Sequence, residues 1–533
     1  MLQLFKNGTI YTMEEEGTTV EAVLTSNGKI KAIGSEDECL ASAGNEGVTT
    51  VDLKGKTMFP GFVDSHLHIV GVGETLLRLD LSEMKSKQEV IDAVAKKAAE
   101  LPKGEWIQGD GWNENQWPDA SVPTAEELDA VAPDHPVILK RICRHAVVVN
   151  SFALFLARID EQTPDPEGGV IEKTAGKLTG QLKDTAQDLM IPALPPIEDE
   201  YIQKSLKTAL EHAWSLGLTG GHTEDLSYYG DFTRTYRAFQ KVIEEDGRPF
   251  RAHLLVHHHV IEDWHRQGHS FLSGSRYVEF GAMKIFADGA LGGRTALLKN
   301  GYADAPGEKG VAIHSPEKLK QLVWKARQYD MAVAVHTIGD QAFEYMLDAI
   351  EAFPSNGERD RLIHAQILDE ELIKRAEKLP IVLDIQPRFV PSDFPWVQDR
   401  IGKDRMKWNY AWKTLMQRGI ACAGGSDAPI EPVDPLLGIH AAVTRTKPDD
   451  PEKTVYGESE KLSMYEGISL FTTCSAYACH HEQDRGVIKP GFAADFTVLE
   501  ADPFKKDPDE LLTMKVERTI VDGKTVYTRS EKF

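Results

Sequence analysis

Between residues 58 and 479 the chain alternates short apolar runs with segments whose apolar residues recur every three or four positions. That alternation predicts a parallel α/β architecture. Eight runs read as strands, namely MFPGFVDSH, PVILKRIC, LTGGHTE, GAMKIFAD, MAVAVHT, RLIHAQ, IVLDIQP and IACAGGSD. Eight parallel strands with helices between them predict a (β/α)8 barrel. The intervening helices carry start signals. Ser315-Pro316-Glu317 opens one with Leu319, Leu322, Val323 and Ala326 on a single face, and Ser463-Met464-Tyr465-Glu466 is a capping box opening another. Ile202, Leu206, Ala209, Leu210 and Ala213 stripe a further helix just before LTGGHTE.

Both ends of the chain change period. Asn7-Gly8 falls between LQLFK and TIYTM, Asn27-Gly28 between AVLTS and KIKAIG, and Asp522-Gly523 between VERTIV and KTVYT, each a hairpin signal between strand-like runs. The two β-rich tails are expected to pair into one small module. The division expected is therefore residues 1–57 and 480–533 as one β-rich part, with a barrel over 58–479. Two stretches break the barrel alternation, near 70–135 and 164–196, and read as insertions over one face. The first holds GDGWNENQWP, whose Trp112 and Trp117 suit a substrate wall or lid.

The formal charge of −23 opposes binding to phosphate backbones and anionic membranes, which argues against a nucleic-acid or membrane partner. No window approaches the length of an apolar membrane span, and the first residues do not read as a leader, so a cytoplasmic location is expected. Five cysteines (Cys39, Cys143, Cys422, Cys474 and Cys479) are too few and too scattered for a disulfide framework. A small-molecule substrate is the partner expected, with a homo-oligomer left open.

Barrel active sites are assembled at the carboxyl ends of the strands, so the polar residues there carry the chemistry. His66 and His68 stand two apart at the end of the first run, on one face of a strand. Lys284 lies inside GAMKIFAD, with Asp288 just beyond; His336 ends MAVAVHT, His364 ends RLIHA, and Asp427 follows IACAGGS. Four imidazoles, a carboxylate and a buried amine converging on one cavity make a site for one or two metals, with zinc preferred and iron(II) or manganese(II) compatible. Beside two cations Lys284 is expected to be carbamylated, giving an anionic bridge. Metal coordination brings a bound water to a pKa of about 7. Asp427 then serves as ligand and general base, and the reaction expected is hydrolysis of a small C–N bond. Ester hydrolysis, isomerisation or decarboxylation on the same barrel is the alternative, and a non-catalytic binding protein is the weakest reading. The run His257 to His259 is set aside, because adjacent strand residues face opposite sides.

The motifs PGFVDSHLH, GWNENQWP, PTAEELDAVAPDHPV, KIFADGALGGRTALL, VAVHTIGDQA, RLIHAQIL, GGSDAPIEPVDPLLGIHAAVTR and GVIKPGFAADFTVLEADP span nearly the whole chain. In them the chain resembles the amidohydrolase superfamily, and within it the YtcJ-like branch that includes N-substituted formamide deformylase-like proteins. The resemblance implies a metal-binding barrel flanked by a β-sandwich made from both termini. It also implies that His66 and His68 bind the more buried metal, that His336 and His364 bind the second, and that carbamylated Lys284 bridges them. His145 would bind substrate or steady an oxyanion, although Cys143-Arg144 stand before it where family members often show Asp-Gly. His222, Asp288, Arg294, Arg388 and Trp112 are further candidates for the substrate wall.

Overall fold

The computed structural model describes every residue except 1, 83, 115–116, 119–120, 142–145, 167–168, 196 and 530–533. An eight-stranded parallel sheet runs in chain order through Phe62–Leu67, Leu218–Thr223, Arg251–His257, Val278–Phe286, Val333–Thr337, Asp360–His364, Ile381–Ile385 and Ala421–Gly424. Its first and last strands are brought together by backbone hydrogen bonds, Asp427 N–H to His66 O at 2.8 Å and His68 N–H to Ala428 O at 2.8 Å. The sheet is thus a nearly closed (β/α)8 barrel. Every residue of Leu218–Thr223, Arg251–His257, Asp360–His364 and Ile381–Ile385 is buried, as parallel strands covered on both faces require. The anticipated helices form as well. Pro316–Gln328 is capped by Ser315 and buries Leu319, Leu322, Val323 and Ala326, and Met464–Leu470 starts in a full capping box on Ser463 and Glu466.

Two strand readings need correction. PVILKRIC is not a barrel strand. Its Val137–Arg141 lies in a separate six-stranded sheet, and the third barrel strand is Arg251–His257 instead. That strand places Arg251, His253 and His257 at alternate positions, so it reads as half-solvated. It is nevertheless buried throughout, because Arg251 pairs with Asp495 at 2.8 Å and His253 with Glu279 at 3.1 Å. The run MFPGFVDSH is likewise two strands in two sheets. Thr57–Pro60 and Phe62–Leu67 part at Gly61, where a Cβ would come within 2.3 Å of the Thr219 hydroxyl.

The terminal segments build two further sheets. One orders Lys29–Gly34, Ala22–Ser26, Leu2–Lys6 and Val48–Asp52; the other orders Lys524–Thr528, Val516–Val521, Phe496–Leu499, Thr57–Pro60, Thr9–Tyr11 and Thr19–Val20. The second joins the two ends of the chain directly, with Thr497 opposite Phe59 and Val498 opposite Met58. A shared core draws Phe5, Val23 and Ile30 from the first sheet and Ile10, Met58, Phe496 and Ile520 from the second. Asn27-Gly28 and Asp522-Gly523 turn antiparallel hairpins as anticipated. Asn7-Gly8 does not, because the strands on either side of it enter different sheets. There the backbone of Gly8 packs so closely that a Cβ would meet the Lys56 carbonyl at 2.4 Å.

Residues 72–208 form a second compact unit, distinct from the unit made by 1–71 and 209–533. Its sheet orders Gly169–Thr174, Lys177–Asp184, Ala146–Val149, Val137–Arg141, Ile107–Trp112 and Leu79–Asp80. Both supposed insertions and the run between them belong to this one unit. Its core packs Trp112, Trp117, Val90, Leu128 and Leu139 together.

Candidate metal centre

The carboxyl ends of the barrel strands bring His66, His68, Lys284, His336, His364 and Asp427 together. Ligand atoms of His66, His364 and Asp427 lie within 4.8 Å of one another. Asp427 Oδ1 stands 3.3 Å from His66 Nε2 and 3.5 Å from His68 Nε2. Lys284 Nζ lies 3.3 Å from His66 Nε2, and among the described residues no carboxylate is within 4.0 Å of that amine. The rings of His66 and His364 are 5.9 Å apart, those of His336 and His364 4.5 Å.

Hydrogen bonding fixes which nitrogens are bare. His68 Nδ1–H donates to the Glu224 carbonyl at 2.7 Å, which turns Nε2 toward Asp427 Oδ1 at 3.5 Å. His336 Nε2–H donates to the Gly289 carbonyl at 3.1 Å, so its Nδ1 is bare. Gln386 donates its amide N–H to the Asp384 carbonyl at 3.0 Å, and its Oε1 therefore accepts from His364 Nδ1–H at 2.8 Å. The bare Nε2 of His364 and the bare Nδ1 of His336 then face each other at 3.0 Å. Two lone pairs at that distance repel unless a cation sits between them, and tetrahedral bonds of about 2.0–2.1 Å set two ligand nitrogens roughly 3.3 Å apart. The residues therefore fit a divalent metal. Carbonyl and carboxamide partners behind ligating histidines are the support such sites ordinarily have.

The electrostatics favour a cation too. Burial drives His66 and His336 well below the usual histidine value, and holds His364 at about 4, so all three are neutral. Burial lowers the Lys284 amine from its ordinary value, against the pull of Glu224, Asp427 and Asp384. Burial opposes ionisation of Asp427, but hydrogen bonds from His66 and His68 outweigh it and keep the carboxylate charged.

The local backbone explains how the set is held. His364 and Asp427 have φ of 76° and 59°, left-handed values that non-glycine residues adopt only when their surroundings impose them. Asp64, buried beneath, accepts from His66 N–H at 3.0 Å and from Ser426 N–H at 3.1 Å, tying the first strand to the Asp427 turn. Gly425 leaves the room, since a Cβ there would meet His66 N at 2.6 Å. Asp64 and Gln386 escaped the sequence reading as site residues. Both sit inside quoted runs (MFPGFVDSH and IVLDIQP), but nothing in a strand's pattern tells a supporting carboxylate or amide from an ordinary strand end.

The remaining candidates are placed as follows. Asp288 is fully buried, and its oxygens accept backbone N–H groups of Leu297, Ile338 and Gly339 at 2.8–3.0 Å, 3.7 Å from His336 Nε2. Arg294 pairs with Asp304 at 2.8 Å, and Arg388 with Glu431 at 3.2 Å. His222 packs against His253 with ring centres 4.9 Å apart and lines a small cavity that includes none of the six converging residues. Trp112 lies in the core of the 72–208 unit and donates its indole N–H to the Leu139 carbonyl at 3.2 Å. His145, with Cys143 and Arg144, falls outside the described residues. Cys39, Cys422, Cys474 and Cys479 are free thiols. No described helix is long and apolar enough to cross a membrane.

Comparison with known proteins assigns the chain to a family. A family model described as the amidohydrolase family matches residues 49–527. The chain is 53% identical to the putative amidohydrolase YtcJ of Bacillus subtilis (strain 168), over 99% of this chain and 100% of that one. It is 27% identical to the N-substituted formamide deformylase of Arthrobacter pascens, over 98% of each. Among solved structures, an uncharacterized metal-dependent hydrolase from Pyrococcus horikoshii OT3 superposes with a TM-score of 0.80 at 30% identity, over 95% of this chain and 99% of that one.

Proposed function

The chain belongs to the amidohydrolase family, and we propose that this metal-dependent hydrolase cleaves a non-peptide C–N bond, that of an N-formyl or N-acyl amine or of a cyclic amide. The observation that carries the metal-dependent part is the pair of bare nitrogens on His336 and His364 at 3.0 Å, each backed by a hydrogen-bond acceptor. The likeness to N-substituted formamide deformylase favours the formamide end of the range.

A divalent cation bound there, Zn2+ by preference and Fe2+ or Mn2+ compatibly, polarises a carbonyl oxygen and brings water near it to a pKa of about 7. His66, His68, His336, His364 and Asp427 would hold it. Asp427 is buried, ionised and backed by two imidazoles, so it takes the proton from the attacking water and delivers it to the departing nitrogen. Lys284, a buried amine without a carboxylate partner among the described residues, is suited to capture carbon dioxide. Its lone pair would bond to the carbon as one C=O π pair moves onto oxygen, the proton lost from nitrogen would pass to water, and the carbamate would offer an anionic oxygen ligand to the cation. Tyr228 donates to the buried Glu224 carboxylate, and its ring stands 5.9 Å from that of His68.

The test combines metal analysis of the purified full chain with a hydrolysis screen over N-formyl amines, N-acyl amines, cyclic amides and esters. The reading requires one or two equivalents of divalent metal and turnover of at least one amide class that chelation abolishes. Full turnover by metal-free protein overturns it, and turnover confined to esters overturns the C–N assignment. Incubation with 13C-bicarbonate and carbon NMR of the wild type and Lys284→Ala tests the carbamate.

A further inference from the structure

The third barrel strand ends at His257, and residues 258–260 form a turn. Strand alternation therefore stops one residue into the run of three histidines, and the reason for setting that run aside does not apply. Ligand atoms of His257, His258 and His259 all lie within 4.8 Å of one another, and the three rings have centres 4.0–4.6 Å apart. A fourth imidazole joins from a distant part of the chain. His314, immediately before the cap of Pro316–Gln328, places its Nε2 3.0 Å from the Nε2 of His258.

We propose that His257, His258, His259 and His314 form a second metal site, separate from the barrel centre, for a borderline divalent ion such as Zn2+. The His258–His314 nitrogen separation is close to the roughly 3.3 Å that two tetrahedral zinc ligands require. His259 is exposed, His258 and His314 are half-buried and His257 is buried, so an ion reaches the cluster from solvent and meets a graded set of donors. Four imidazole donors suit zinc, copper or nickel, and exclude calcium and magnesium, which demand oxygen ligands. Ligation through His257 Nδ1 gives up one contact, the hydrogen bond it accepts from the His259 backbone at 3.1 Å. His257 is the strand partner of Lys284, so the two sites are neighbours that share no ligand. The proposal does not depend on the substrate class given above.

Equilibrium dialysis of chelator-stripped full-length protein against Zn2+, with metal counted by mass spectrometry, tests it. His258→Ala/His314→Ala is expected to bind one ion fewer than the wild type, or to bind that ion more than about 100-fold more weakly, the scale that loss of supporting groups alone can reach. A His66→Ala/His364→Ala variant, stripped of barrel ligands, is expected to keep one bound ion. Loaded with Cu2+, it should show nitrogen couplings in its electron paramagnetic resonance spectrum. The proposal is overturned if the first variant matches the wild type in stoichiometry and affinity, or if the second binds nothing. Should the alanine pair unfold, His258→Gln/His314→Gln is read in the same way.

Discussion

The candidate metal-ligand cluster and the cluster around Glu279 are both buried and both rich in histidine, yet they differ in what faces each ring nitrogen. At the candidate metal centre the acceptors lie behind the imidazoles, so Nε2 of His364 and Nδ1 of His336 are left bare and turned inward. Around Glu279 the carboxylate lies among the rings. It takes His253 at 3.1 Å and His481 at 2.8 Å, with Arg485 at 3.4 Å, while His481 also pairs with Asp484 at 2.8 Å. Ligand atoms of His253, Glu279 and Cys479 fall within 4.8 Å, as close together as those of the metal centre. Proximity of ligand-type atoms therefore does not separate a metal site from an ion-pair network. Between these two clusters the direction of the second hydrogen bond does.

The sharpest way to break this comparison is to remove a reacting or ligating group. His364→Ala is expected to lose bound metal and all measurable hydrolysis, and Asp427→Asn to reduce kcat by at least about 10²–10⁴-fold, the range of general acid–base catalysis. Metal analysis and steady-state kinetics on the same preparations check both. In the other cluster Glu279→Ala strips a buried network of its only described anion facing His253. Breaking such a pair costs about 3–5 kcal/mol, so urea unfolding should show that loss while metal content stays at the wild-type level. Loss of metal from Glu279→Ala would merge the two clusters into one.

An intermediate effect belongs to the support behind a ligand. Gln386→Leu keeps the volume next to His364 but removes the oxygen that fixes its tautomer. Metal affinity should fall by about 10–100-fold, with little change in folding, in competition titrations against a chelator of known affinity. An unchanged affinity would mean that the bare nitrogen of His364 is set by something other than Gln386.

How much of this was legible in the chain depends on whether a residue's partner is local. His66, His68, Lys284, His336, His364 and Asp427 were readable because each stands at or near the end of an apolar run, and the barrel topology does the rest. The third strand was not readable. Arg251 and His253 look solvated until Asp495 and Glu279, distant or on another strand, are seen to satisfy them. PVILKRIC, apolar and short, fitted the barrel pattern equally well, and only tertiary pairing with Ala146–Val149 and Ile107–Trp112 assigns it elsewhere. The break of MFPGFVDSH at Gly61 and the splitting of strands at Asn7-Gly8 follow the same rule. Apolar pattern specifies burial, and which sheet does the burying is decided by packing that the pattern does not encode.

The smallest effects are those of pH, and here the two clusters should answer with different signatures. Burial works against ionising Glu279, yet hydrogen bonds from His253 and His481 hold it well below its ordinary value of 4.5. A depressed carboxylate contributes stability that is present above 4.5 and lost as pH falls through the folded value. His481 is opposed by burial but raised above 6.5 by Asp484 and Glu279, so its share is present below 6.5 and lost as pH rises through its folded value. The network is therefore most stabilising between 4.5 and 6.5, and Glu279→Gln should flatten the fall in Tm below 4.5. At the metal centre burial also opposes charging His68, but in the cation-free protein Asp427 and Glu224 push it up to about 9. A metal ion must displace that proton, so affinity should weaken as pH falls below about 9, and calorimetry in buffers of different ionisation enthalpy should register proton release. Proton release that survives in His68→Ala would move the displaced proton to another ligand.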